Sequence, residues 1–186
     1  ADHELMAVAA ASPPTDLAAN FAASEVPIRS FLSSFAARSW EEAYGYPLAT
    51  LGNRTTQRLI RTIGGRCEGD PQSLLVKLDI VRLLNRLSEV NIAAIDPWQA
   101  RVSASAVGAV PVGVPMLISQ GDADNLVAPA VTRDFVARAC ARGERLRYIE
   151  VPGGDHAGNP KAVEREVIGW LADRFAGAPA PSDCPG

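Results

Sequence analysis

Between residues 114 and 177 the hydrophobic pattern switches from strand to helix to strand to helix, and this constrains the fold more than any other feature. VPMLISQ (114–120) is a short apolar run, and RLRYIEV (145–151) alternates apolar with polar residues; both patterns belong to strands. AVTRDFVARACARG (130–143) and PKAVEREVIGWLADRFAG (160–177) carry helical spacing and stop at Gly143 and Gly177. In the second of these helices Val163, Val167, Trp170, Leu171 and Phe175 are expected on one side. Strand, helix, strand and helix at this spacing imply a right-handed βαβ unit with parallel strands. The fold class is therefore α/β, with this segment at the edge of a sheet.

Upstream, LMAVAAASPPTDL opens with small apolar residues, Leu5 to Ala10, and is stopped by Pro13 and Pro14. This reads as a buried strand ending in a turn, with Asp16 placed near the start of the next helix. A chain that opens almost directly on a buried strand is expected to have lost what precedes it. From residue 17 to about 90 the pattern is helical. Phe31, Leu32 and Phe35 recur at helical spacing, as do Leu74, Leu75, Leu78, Val81, Leu84 and Leu87. Glycines and prolines at 45, 47, 52, 64, 65, 69 and 71 break the run into short helices. DPWQARVSASAVGAVPVG reads as an irregular connector.

Composition removes several classes of function. With 186 residues, 47% of them hydrophobic and 21% charged, the chain can bury one sizeable core. A formal charge of −3, with arginines scattered and only Lys77 and Lys161 as lysines, lacks the basic stripe that a phosphate backbone requires. No nucleic-acid partner is expected. No apolar run is long enough to span a bilayer, and ADHELMAVAA has acidic flanks and too short an apolar stretch for a secretory signal. Two histidines and three dispersed cysteines offer no metal-ligand spacing, and no phosphate-cradling glycine loop is present, so neither metal nor cofactor is expected. The cysteines are Cys67, Cys140 and Cys184, an odd number that leaves one without a partner in this chain under oxidising conditions.

In open α/β sheets, reactive groups gather beyond the carboxyl ends of the strands. Asp122 and Asp124 follow the strand ending at Gln120, and His156, within VPGGDHAGN, follows the strand ending near Val151. The 32 residues from Asp124 to His156 hold one helix and one strand, so two adjacent strands present their turns on the same edge. A carboxylate there can hold the imidazole's tautomer and stabilise the imidazolium formed when the ring takes a proton from a nucleophile. A lone aspartate in a glycine-rich turn more often serves the turn itself; the ordered pair at two strand ends favours catalysis. His3 lies at the terminus and receives no role.

VPMLISQGDADNLVAP followed by YIEVPGGDHAGNP resembles the last two strands of an α/β-hydrolase, where G-x-x-D-x-x-V places the acid and a later G-x-D-H places the histidine. More narrowly, nearly the whole chain resembles the C-terminal half of the secretory lipase family, the Candida antarctica lipase A-like group. MAVAAASPPTDLAANF is similar to the strand after that family's nucleophile helix, residues 26–95 to its helical cap, and DPWQA to the return to the sheet. The resemblance implies an α/β-hydrolase core of about three parallel strands in residues 1–25 and 96–186, with the cap or lid in 26–95. It places the acid on Asp124, at the fourth position of GDAD, and the base on His156. Asp122 and Asp155 are the nearest rivals; Asp122 is read as bonding the backbone of its own turn, and Asp155 as bracing the histidine loop. It also implies a Cys140–Cys184 disulfide tying the tail to the body, a partner for Cys67 upstream of residue 1, and secretion.

One element of that family is absent. Acyl transfer requires a nucleophile elbow, G-x-S-x-G, and no serine here is so flanked. The family's order of serine, acid and histidine would put the serine before residue 1. The resemblance therefore implies a carboxylic ester hydrolase acting on lipid or other esters, with this chain inactive on its own and the missing N-terminal half as its partner. The alternatives are a non-catalytic α/β-hydrolase-like module, and a peptidase or carbohydrate esterase on the same scaffold.

Overall fold

A computed structural model describes residues 3–66, 78, 81, 82, 85 and 91–185. Cys67 and most of the helical pattern between Leu74 and Leu87 lie outside the described residues. The chain forms two compact units, one of residues up to Asn20 and from Ala106 onward, the other of Phe21–Ser105. The family resemblance implied divisions at 25/26 and 95/96.

The first unit is built on a three-stranded parallel sheet in the order β1 (Val8–Ala11), β2 (Met116–Gly121), β3 (Leu146–Val151). Val8 stands opposite Met116, and Met116 opposite Leu146, so all three carboxyl ends reach the same edge. All six residues of β2 are buried, as expected for a central parallel strand covered on both faces. Side chains alternate between those faces. Met116, Ile118 and Leu146 form a core with Phe135 and Ala139 of α5 (Pro129–Ala141), while Ser119 meets Asn159 of α6 (Gly158–Phe175).

The buried side of α6 differs from the sequence reading. Asn159, Val163, Trp170 and Arg174 are buried, whereas Phe175 is 75% exposed. Positions 163, 170 and 174 share one helical phase, and residue 175 is rotated about 100° past it. Arg174 fits this inner stripe by laying its guanidinium over the Trp170 ring and donating to Pro179 O at 3.1 Å.

A disulfide joins Cys140 of α5 to Cys184 of the tail, with Cα atoms 5.1 Å apart. The tail also completes the outer edge of β3: Asp183 N donates to Leu146 O at 2.9 Å, and Asp183 Oδ2 accepts from Tyr148 N at 2.8 Å. An edge strand's free N–H and C=O groups are thus partly covered.

The second unit is helical. It holds α2 (Val26–Tyr44), α3 (Arg54–Gly64) and α4 (Trp98–Ala104); α1 (Leu17–Ala23) spans the division between the units. Asp16 accepts from Ala19 N at 2.9 Å at the start of α1, and Asn53 caps α3 by accepting from Thr55 N and Thr56 N. A Cβ on Gly64 would lie 2.5 Å from Ser34 O, so α2 and α3 pack at backbone distance. The stretch from Trp98 to Ala104, read from sequence as irregular, is helical because Trp98 and Val102, one turn apart, are both fully buried. Trp98 stacks with Trp40, their centroids 6.4 Å apart, and donates to Thr50 Oγ1 at 2.8 Å.

Candidate active site

The turns after β2 and β3 are fastened together before any reactive side chain is placed. Gly121 ends β2 against Gly154 of the other turn; a Cβ there would lie 2.1 Å from Gly154 O. Ala123 N donates to Gly154 O at 3.1 Å, and Asp122 Oδ1 accepts from Gly153 N at 2.6 Å. Asp122 therefore bonds the histidine's turn and not its own, a cross-strand contact that local sequence could not reveal.

Asp124 points inward and is 4% exposed. Its Oδ1 accepts from Leu126 N at 2.9 Å and Val127 N at 2.8 Å, closing an Asx-type turn. Its Oδ2 accepts from Gln120 Nε2 at 3.0 Å and lies 2.9 Å from His156 Nδ1. Burial pushes the carboxyl's pKa up, but the Val127 amide, His156, the Leu126 amide and the Ser12 hydroxyl together outweigh it and hold the group below its ordinary value. The carboxylate is thus ionised, desolvated and fixed. The His156 side chain keeps 39% of its surface open, so one ring edge meets the buried acid while the ring stays accessible.

Asp155, beside His156, turns away and accepts from Gly158 N at 2.6 Å in the first turn of α6. His3 is exposed. The structure brings Asp124, Asp122 and His156 to one edge and pairs Asp124, not Asp122, with the ring.

Five further residues serve the site and were not singled out from sequence as site residues. Gln120, fully buried, places Asp124 with one Nε2 hydrogen bond while Thr132 Oγ1 donates to its Oε1 at 2.7 Å. Asn159 Nδ2 donates to Ser12 Oγ at 2.8 Å and to Ser119 Oγ at 3.2 Å. The available signal was the polar pair Ser119–Gln120 closing an otherwise apolar strand, since buried polar groups demand partners.

Among the described residues no group of three or more His, Cys, Asp and Glu side chains is placed to hold a metal ion, and no helix is long and apolar enough to cross a membrane. The arrangement can orient an imidazole and stabilise its protonated form, which is the acid–base half of nucleophilic catalysis.

No protein-family model matches the chain. Nor does any curated protein match it by sequence. Its fold, however, is similar to solved structures. Lipase A from Candida antarctica superposes with a TM-score of 0.71 at 18% identity, covering 96% of this chain and 43% of the lipase. The same lipase in its closed state gives 0.71 at 17% identity, over 96% and 44%. The rice cell wall degrading esterase LipA from Xanthomonas oryzae gives 0.58 at 13% identity, over 92% and 50%. The chain thus spans about half the length of these enzymes or less. The three parallel strands, their flanking helices and the helical segment inserted between β1 and β2 have the fold of a lipase-like α/β-hydrolase.

Proposed function

We propose that this chain supplies the acid, Asp124, and the base, His156, of a serine esterase or lipase. The observation that carries the reading is the 2.9 Å contact of His156 Nδ1 with a carboxylate that is buried and held by three other hydrogen bonds. In this reading the nucleophilic serine stands in a G-x-S-x-G elbow in polypeptide preceding residue 1. That N-terminal portion would pack beside β1, which pairs on one side with β2.

Asp124 holds the ring with its proton on Nδ1, leaving Nε2 to take the serine's proton as the hydroxyl attacks an ester carbonyl. The imidazolium then protonates the leaving alcohol. Water repeats the cycle on the acyl-enzyme, with the base accepting its proton and returning it to the serine. In this reading the substrate is a lipid ester. A tail disulfide fits an oxidising, extracellular setting.

The test has two parts. The coding sequence upstream of Ala1 should contain G-x-S-x-G within roughly 30 residues, as the strand–turn–helix context requires. The polypeptide that includes it should be labelled by a fluorophosphonate at that serine and turn over p-nitrophenyl esters, while residues 1–186 alone should do neither. An initiating methionine at this position with no such motif, or a longer protein that cleaves peptides and not esters, would refute the reading.

A further inference from the structure

The amide of Asn159 and the hydroxyls of Ser12 and Ser119 form a buried polar trio behind the candidate dyad. Asn159 and Ser119 are fully buried, and Ser12 is 2% exposed. Each comes from a different element that carries part of the site. Ser12 stands directly after β1, Ser119 lies in β2 just before the Asp124 turn, and Asn159 sits in the first turn of α6, three residues after His156.

Asn159 Nδ2 reaches both hydroxyls, at 2.8 Å and 3.2 Å, while Asn159 N donates to Asp155 O at 3.0 Å and so closes the turn that contains His156. Ser12 N in turn donates to Ser119 O at 2.8 Å. Two features are costly unless they serve something. Ser12 has φ 49°, the left-handed region that a residue with a side chain rarely occupies. Asn159 Oδ1 is buried with no hydrogen-bond partner. A leucine, with the same number of side-chain heavy atoms and the same branching, would leave no such atom unpaired.

We propose that Asn159, anchored on Ser12 and Ser119, is a positioning residue that locks the C-terminal side of the His156 loop onto the ends of β1 and β2. The other side of the loop is already fastened, by Gly153 N to Asp122 and by Ala123 N to Gly154 O. His156 is then fixed from both directions, and its ring stays in register with Asp124. Ser12 contributes a second time, because its oxygen accepts from Asn159 while its own proton is free to reach the Asp124 carboxylate. None of the three touches a reacting atom.

The inference rests on the Asp124–His156 dyad, and one experiment separates the two. In the full 186-residue chain, the 15N shifts of the His156 ring report the ratio of the Nδ1–H to the Nε2–H tautomer at a pH where the ring is neutral. Asp124→Asn tests the dyad and should lower that ratio. Ser12→Gly removes the hydroxyl while relieving the positive φ, and Asn159→Leu removes the amide while keeping the number and branching of its side-chain heavy atoms. Both should leave the chain folded, Ser12→Gly without loss of thermal midpoint, and each should lower the ratio by roughly 3- to 10-fold, the size of one lost hydrogen bond. A ratio within twofold of the unmodified chain in both variants, with or without a change in thermal midpoint, makes the trio a packing feature and overturns the proposal. If Asp124→Asn also leaves the ratio unchanged, the dyad itself fails.

Discussion

His156 Nδ1 lies 2.9 Å from Asp124 Oδ2, and the carboxylate side chain on the far side of that contact is fully buried. Its donors keep Asp124 below its ordinary pKa despite burial, so protonation is harder in the folded chain than in the unfolded one. The unfolded state therefore binds the proton first, and the carboxylate's contribution to stability is present above the unfolded value of 3.8. It is lost as pH falls from there through the lower folded value. Urea unfolding of the chain between pH 7 and pH 3 should show stability falling in that acidic window. Asp124→Asn should be less stable at pH 7 and should show a smaller fall.

The junction of the two turns predicts a second effect. Gly121→Ala would drive a methyl group to 2.1 Å from Gly154 O, a backbone atom that cannot rotate away. The turns must separate, taking the Asp124 and His156 loops with them. Thermal or urea unfolding should report a loss of about 1–3 kcal/mol, the cost of overpacking a tight site. Gly113→Ala serves as the control: its Cβ meets nothing within 4 Å, although its φ of 80° carries backbone strain of its own.

The disulfide closes a sequence separation of 44 residues. Loop entropy alone assigns such a link roughly 4 kcal/mol against the unfolded chain. Cys140→Ser should lower stability by about 2–5 kcal/mol. It should also raise hydrogen exchange at Tyr148 N and Asp183 N, because the tail that covers the outer edge of β3 is released. A free edge of this kind pairs readily with another copy, so light scattering should rise in the same variant.

The strand and helix order of residues 114–177 was legible because each segment has one dominant hydrophobic period, and the structure places β2, α5, β3 and α6 within two residues of the pattern. Packing between elements was not legible. The short helix at Trp98–Ala104 has too few residues to display a period and forms because Trp98 is buried. The exchange of Phe175 for Arg174 on the inner face of α6 depends on the Trp170 ring and the Pro179 carbonyl, which sequence spacing does not contain. At the site, the positions of Asp124 and His156 followed from strand ends. The supporting contacts of Gln120, Asn159 and Ser12 span up to 147 residues and exist only after folding.

The acid assignment is the claim on which the functional reading stands, and turnover of a short-chain p-nitrophenyl ester by the longer polypeptide proposed to carry the serine tests it most directly. Asp124→Asn should lower kcat by about 10³–10⁴-fold, the loss expected when the imidazole keeps its place but not its tautomer. Asp122→Asn, whose carboxylate bonds Gly153 N and not the ring, should stay within about tenfold of the parent enzyme, losing one hydrogen bond. Full activity in Asp124→Asn, or a greater loss in Asp122→Asn than in Asp124→Asn, would contradict it.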